Sequence, residues 1–449
     1  MTTTQPERTW VARVSAQAAG WRGRLSPRRG DARRPKNAKN AKGASAKRAT
    51  DAVRQGPTSW FRALREALDR PLTTYYLIFG SAALLLTIGL VMVLSASSVF
   101  SYRATGDSYT IVRRQVLWVL VGVPAAYVAS RVSQTWVRRL AYPAFLVSLV
   151  LLALTAIMGV ERNGNTNWLA LGPVVIQPSE IAKLSLVLWA ANIYANKERR
   201  LGSLHEMMVP VVPGMLLATG LVIVGRDLGT GLVLAAILIG MLWIVGAPAR
   251  MFFASSLVIG LLGLAMAATD PERLARITTF LDPFQDYHGT GWQPAHGLYA
   301  MASGGVFGQG IGASQQKWGA LPEAHTDFIF AVLGEELGLA GTLLVIGLFL
   351  TLAYAALRLA RQTKDPFVRY TSFGIVVWLL GQMIINVGMV LALLPVIGIP
   401  LPLVSYGGSS LLPTLAAVGL LIGFARREPA AARALALRHK RRSAGVTAR

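Results

Sequence analysis

The 449-residue chain contains no cysteine, which excludes disulfides, thiolate metal centres and a cysteine nucleophile. Charge is scarce. Asp, Glu, Lys and Arg together make up 15% of residues, where soluble domains carry roughly 25%. Only five histidines are present. No apolar run precedes residue 72, so a cleaved secretory leader is not expected and the first hydrophobic span is read as its own insertion signal.

The sequence is instead rich in hydrophobic residues, which form 53% of the chain and arrive in blocks. Ten apolar segments stand near 74–98, 111–129, 138–159, 179–196, 207–224, 228–246, 250–268, 327–357, 369–394 and 405–425. About 20 apolar residues cross a bilayer as helix. Backbone groups in lipid must satisfy one another within the segment, and the alternation of a barrel is missing. The expected fold is an all-α polytopic membrane protein of about ten transmembrane helices, with one long extracytoplasmic loop, 270–326, between the seventh and eighth. Long connections of this kind are functional or disordered, and this one has too many aromatic residues for disorder.

The net charge of +24 sits mostly in the tails: residues 1–71 hold 17 Lys/Arg against 5 Asp/Glu, and 426–449 hold 8 against 1. The domain reading follows from this: a basic, largely disordered tail over 1–71, a membrane domain over 72–425, and a second basic tail over 426–449. Residues 60–68 have the spacing of a short surface helix on the inner leaflet, which Pro71 would end. An even number of spans puts both tails on one side, and the positive-inside rule makes that side the cytoplasm. Arg131, Arg138, Arg139, Lys197, Arg199, Arg200, Arg250, Arg358, Arg361, Lys364 and Arg369 fall on the same side. Basic tails beside anionic lipid account for the charge without a nucleic-acid partner.

Ionisable residues in or beside apolar helices are costly and point to function by default. Glu180 and Lys183, three apart in Gln177-Pro178-Ser179-Glu180-Ile181-Ala182-Lys183, share a helix face; they are either a self-neutralising pair or the lining of an outward cavity. Ser179 is a candidate helix cap, and Trp168 alone would be an interfacial belt residue. Asp227 in Arg226-Asp227-Leu228-Gly229-Thr230 either caps the next helix or holds a site. In the long loop, Asp282 has the pattern of a turn residue. Asp286 has no capping pattern after it, and a carboxylate at a membrane surface suits a general base. His288 and His296 are further candidate bases or ligands. Glu323, His325 and Asp327 have the spacing of a divalent metal site, against which stands helix capping by Thr326 or Asp327. The glycines of 303–312 look only superficially like a dinucleotide loop, since no parallel-strand unit surrounds them.

Six segments then resemble one family in order across 72–425: Asn163-Gly164 through Trp168-Leu169, Gln177 to Lys183, Asp227 to Thr230, Asp282-Pro283-Phe284-Gln285-Asp286, Leu321 to Phe330, and Pro400 to Ser410. The pattern resembles the SEDS family (shape, elongation, division and sporulation), and most closely its FtsW branch of actinobacterial type. The resemblance implies peptidoglycan glycosyltransfer at the division septum, in which lipid II subunits are joined by β-1,4 bonds outside the membrane. It implies that Asp286 takes the acceptor hydroxyl proton or helps hold a divalent cation, Mg or Mn, with no organic cofactor. It places Trp168, Glu180, Lys183, Asp227, Glu323, His325 and Ser405 at the substrate. It also implies a class B penicillin-binding protein and other divisome proteins as partners. The chain departs from the family at Asn167, where Arg is frequent; the missing cation must come from elsewhere, such as Arg162, or be dispensed with. Two other readings are a lipid II flippase, which needs polar groups along a transbilayer path, and a non-catalytic division scaffold.

Overall fold

The structure is a computed structural model that describes residues 66, 70–162, 165–172, 174–268 and 271–446. The chain divides into two units, Met1–Glu66 and Ala67–Arg449. The expected disordered tail over 1–71 and the surface helix at 60–68 lie outside the described residues, apart from Glu66, Arg70 and Pro71. The second unit is the membrane domain.

Each of the ten apolar segments is helical. In chain order they are α1 (Thr73–Thr105), α2 (Thr110–Arg131), α3 (Gln134–Met158), α4 (Pro178–Lys197), the pair α5 (Leu204–Met208) and α6 (Val211–Val224), α7 (Leu228–Ile244), α8 (Ala249–Ala268), α11 (Ile329–Gln362), α12 (Pro366–Val390) and α13 (Gly408–Arg427). Among the described residues, seven spans are long and apolar enough to cross a membrane by length and composition, with α5 and α6 counted as one span. The other three are α4, which carries Glu180 and Lys183, the 17-residue α7, and α8, whose apolar run is assigned only to Ala249–Val258.

Three features differ from expectation. First, the chain is not purely helical: β1 (Val160–Arg162), β2 (Asn165–Leu171) and β3 (Val174–Ile176) form an antiparallel sheet in the order β1-β2-β3. It follows α3 directly and sits over the α6–α7 turn, where the Thr166 N–H donates to the Gly225 carbonyl at 3.1 Å. Second, segment 270–326 is not an open loop. It contains α9 (Pro271–Thr279), α10 (Trp292–Ser303) and a 3-10 turn at Gln316–Trp318. Third, α11 is broken at Gly338, which stands at φ 66° and ψ −165°. A last helix, α14 (Pro429–Val446), follows α13 in the basic C-terminal segment.

The core is apolar side chains on crossing helices, with small residues where backbones meet. α13 packs most extensively on α2, and α1 on α11. At the first crossing a Cβ on Gly419 would stand 2.2 Å from the Ala126 carbonyl oxygen, and one on Gly423 2.6 Å from that of Ser130.

Candidate active site

Four local arrangements hold the residues singled out by the sequence. Asp227 caps α7: it accepts from the Thr230 N–H at 2.9 Å and from Thr230 Oγ1 at 2.7 Å. Two donors come from elsewhere, Asn167 Nδ2 on β2 at 2.7 Å and Gln177 Nε2 before α4 at 3.0 Å. Asp227 is therefore a cap and a junction at once: Oδ1 takes the helix N–H, and Oδ2 accepts from Thr230 Oγ1 and also gathers the sheet and the approach to α4. Asn167 is thereby a neutral donor to this buried carboxylate. The side chain of Arg162 lies outside the described residues.

Three residues beyond Gln177, Glu180 Oε1 accepts from Lys183 Nζ at 2.7 Å. Both side chains are buried, and the ammonium stands 5.7 Å from the centre of the Trp378 ring. Glu180 Oε2 has no partner. Ser179 does not cap α4: Gln177 is the capping residue, Pro178 takes the first helical position, and Ser179 Oγ is buried without a partner. Proline at that position removes an N–H that would need a cap.

The strap Leu321–Phe328 is held by the segment 399–406. Ser405 Oγ donates to the Thr326 carbonyl at 2.6 Å and accepts from the Leu401 N–H at 2.8 Å. The Tyr406 N–H donates to the His325 carbonyl at 3.0 Å. Asn386 Nδ2 donates to the carbonyls of Asp327 and Ile399 at 2.8 and 2.7 Å. The His325 ring stacks on Phe100 at 5.2 Å and lies 5.7 Å from Tyr406. Burial depresses the His325 pKa, and the Glu323 carboxylate opposes that shift. Burial pushes the Asp327 carboxyl up to about 7, with Glu323 and Asp227 adding to the effect. That repulsion puts Asp227, Glu323 and Asp327 in one field.

The expected capping of α11 by Thr326 or Asp327 is absent. Phe328 occupies the cap, and Thr326 Oγ1 instead donates to Glu323 Oε2 at 2.6 Å. Among the described residues no three His, Asp or Glu side chains converge on a metal, so Glu323, His325 and Asp327 do not form the metal site that their spacing allowed. The two-residue spacing suits a strand, and the strap is a series of turns.

Asp286 sits in the turn Pro283–Gly291. Asp286 caps no helix, as expected, since Gly291 holds the cap position of α10; its Oδ2 instead closes the turn, accepting from the Thr290 N–H at 2.7 Å and from Thr290 Oγ1 at 3.0 Å. The side chain stays partly exposed. Asp282 is the turn residue anticipated, accepting from the Phe284 N–H and Gln285 Nε2. His296 is buried, with one ring nitrogen 3.3 Å from Tyr287 Oη and the other 2.9 Å from the Trp292 carbonyl, which fixes it structurally. His288 is exposed against Tyr287 and Trp292. Trp292 Nε1 donates to the Ala320 carbonyl at 2.7 Å and Gln293 Nε2 to that of Pro322 at 3.2 Å, so the Asp286 turn is pinned to the start of the strap.

Sequence reasoning missed a further cluster. Glu336 Oε1 accepts from Ser95 Oγ at 2.6 Å and Lys317 Nζ at 2.8 Å, while Glu335 accepts from Ser314 Oγ and the Gln315 N–H. All of these except Gln315 are buried. The signal available was two adjacent glutamates in an apolar helix.

The chain matches the family described as "Cell cycle protein", comprising FtsW, RodA and SpoVE, over residues 75–429. It belongs to that family. Among its relatives, the probable peptidoglycan glycosyltransferase FtsW of Mycobacterium tuberculosis is 42% identical over 370 residues, covering 82% of this chain and 71% of that one. Stage V sporulation protein E of Bacillus subtilis is 39% identical over 350 residues, covering 76% and 94%. Among solved structures, a component of a peptidoglycan synthase complex that coordinates polymerization and crosslinking superposes with a TM-score of 0.64 at 29% identity, over 78% of this chain and 96% of that one. Rod shape determining protein RodA of Thermus thermophilus gives 0.59 at 28% identity, over 78% and 96%. The family assignment makes the chain a polytopic membrane protein of SEDS type.

Proposed function

We propose that this family member is a peptidoglycan glycosyltransferase that polymerises lipid II into β-1,4 glycan strands during septal wall synthesis. The 4-hydroxyl oxygen of the acceptor sugar forms a bond to the anomeric carbon of the lipid-linked donor. The bond from that carbon to the diphosphate oxygen breaks, and undecaprenyl diphosphate leaves with the electron pair. The proton of the hydroxyl goes to a carboxylate, which we assign to Asp286.

One observation carries this assignment. Asp286 is partly exposed, yet it is held by Thr290 through Oδ2 and fixed to the strap through Trp292 and Gln293. A carboxylate that is positioned by its turn and still open to solvent is what general-base catalysis requires. The donor set fits a divalent cation only in a limited way. A cage made of protein alone is absent among the described residues, but Mg is ordinarily held by one or two carboxylates and substrate phosphate oxygens. Asp286 would hold it together with the substrate diphosphate, whose charge it would neutralise. We keep Trp168, Glu180, Lys183, Asp227, Glu323, His325 and Ser405 as substrate-binding candidates; Asp227, Glu180, Lys183 and Ser405 are buried and bonded within the fold, so they would act by holding the elements that receive the substrate. The solved neighbour, from a complex that coordinates polymerization and crosslinking, supports a penicillin-binding protein as partner; other divisome proteins are partners only by the family resemblance.

The test is glycan synthesis by purified protein and its partner from lipid II with Mg or Mn. Asp286→Ala is expected to abolish polymer while the protein stays folded, its thermal midpoint lowered only by the loss of the Thr290 bonds, about 1 kcal/mol. Full-length polymer from Asp286→Ala removes the assignment, and lipid movement across vesicles without polymer establishes the flippase reading instead.

A further inference from the structure

The break in α11 is filled by another part of the chain. Around Gly338 the helix loses its own ladder, which leaves carbonyls above the break and N–H groups below it without intrahelical partners. The glycine-rich segment 304–312 supplies those partners with its backbone. The Gln309 and Gly310 N–H groups donate to the carbonyls of Glu335 and Glu336 at 2.9 and 3.0 Å. The Leu339 and Ala340 N–H groups donate to the carbonyls of Gly305 and Val306 at 2.9 and 3.0 Å. The segment is therefore an elbow spliced into a membrane helix, and Lys317, bonded to the Gly312 carbonyl, Ser95 and Glu336, locks its far end.

Its depth follows from the helix. From Leu339 to Arg358 and to Arg361 the rise is about 29 and about 33 Å at 1.5 Å per residue, which brackets the ~30 Å of a hydrocarbon core. With the cationic end of α11 at one surface, Leu339 stands at the other. The outward apolar side chains of α11 begin there, with Leu339, Leu343 and Leu344 each more than half exposed. The elbow presents Val306, Phe307 and Ile311 at the same level, 58%, 84% and 66% exposed. No charged residue occurs from Met301 to Gln316. Irregular backbone at membrane depth is tolerated where its polar groups are satisfied by protein; the four bonds across the break do that for both edges of α11 and for Gly305, Val306, Gln309 and Gly310, and the rest of the elbow lies at the headgroup level.

We infer that residues 305–311 form a membrane-inserted elbow, with Val306, Phe307 and Ile311 seated in the leaflet opposite the cationic helix ends. The occupant of this apolar face is lipid hydrocarbon at the boundary with the headgroups. α10 joins the elbow directly to the Asp286 turn, so the elbow sets the height of that turn above the leaflet. The inference rests on the membrane reading of α11 and is independent of which reaction Asp286 performs.

The absence of cysteine makes the test direct. Phe307→Cys, Ile311→Cys and Gln315→Cys variants of the full chain are each labelled with a nitroxide and reconstituted in phosphatidylcholine–phosphatidylglycerol vesicles. Power saturation then compares collision with oxygen and with a water-soluble nickel chelate. Positions 307 and 311 are expected to favour oxygen severalfold over the chelate, and position 315 to show the reverse. A chelate-dominated label at 307 overturns the inference. So does a label at 307 that the chelate reaches in vesicles and that adding the penicillin-binding partner then shields from both reagents, because the face would then dock protein. Glycan synthesis is not the readout, so failure here leaves the assignment of Asp286 untouched.

Discussion

At the scale of single residues, the buried ion pair in α4 makes the sharpest prediction. Lys183 is fully buried and its one carboxylate partner is Glu180. Removing one member of a buried pair costs about 3–5 kcal/mol, because the other charge stays behind uncompensated. Glu180→Gln should therefore lower the thermal midpoint substantially, while Glu180→Gln combined with Lys183→Met should recover most of the loss. Both are measurable on purified protein by thermal denaturation. Asp327 gives a pH dependence of defined sign. Its folded pKa of about 7 lies above the ordinary value of about 3.9. In that interval the fold holds a proton that the unfolded chain has released, so stability falls as pH rises from about 4 to about 7. The Asp327→Asn variant should flatten this slope and be the more stable protein at pH 8, as read by thermal midpoints at pH 5 and pH 8. Asp286 shows what local reading leaves out. The carboxylate stands out because no helix-capping pattern follows it, and it caps no helix, yet Thr290 holds it in a turn. Its partner lies four residues on, across two turns, where no helix-start pattern applies.

At the scale of elements, Gly338 links α11 to the elbow. Its positive φ is unfavourable for any side chain, and an added Cβ would meet the Gly308 nitrogen at 2.4 Å and the Val306 carbonyl oxygen at 2.6 Å. Backbone strain of this kind costs about 1–3 kcal/mol, before the elbow is displaced. The Gly338→Ala variant should lower the thermal midpoint and expose 304–312 to proteolysis in detergent; unchanged cleavage kinetics would show that the elbow does not depend on the break. The helices themselves were legible because the cost of leaving backbone unpaired in lipid forces any long apolar run into helix. The small sheet at 160–176 was not legible. Its strands are three to seven residues long, and their formation depends on the α6–α7 turn, to which they bond. Segment 270–326 looked like one connection because its helices are short and polar on one side, and α9 and α10 fall below the length at which apolar content identifies a span.

At the scale of the whole molecule, the expected arrangement is a membrane domain with the cationic helix ends and both tails on the cytoplasmic face and the Asp286 turn on the other. Single cysteines at Lys364 and Gln315 test this in intact cells. A membrane-impermeant thiol reagent should label Gln315→Cys and leave Lys364→Cys unmodified until the membrane is opened. The opposite pattern would put Asp286 on the wrong side for joining wall sugars. Family membership was legible in the same sequence, because the six segments that carry it are contiguous runs that need no folding to be seen.

The sequence by itself determined the membrane-embedded class, the helical segments, the basic tails and the family. Each of these follows from composition or spacing within a short window, where burial in lipid acts on every residue independently of its distant neighbours. Tertiary structure decided which charges meet. Ser95 and Glu336 are 241 residues apart, Lys317 and Ser95 222, and Asn167 and Asp227 60. A buried charge must find a partner wherever the fold brings one, and nothing in the local sequence names that partner.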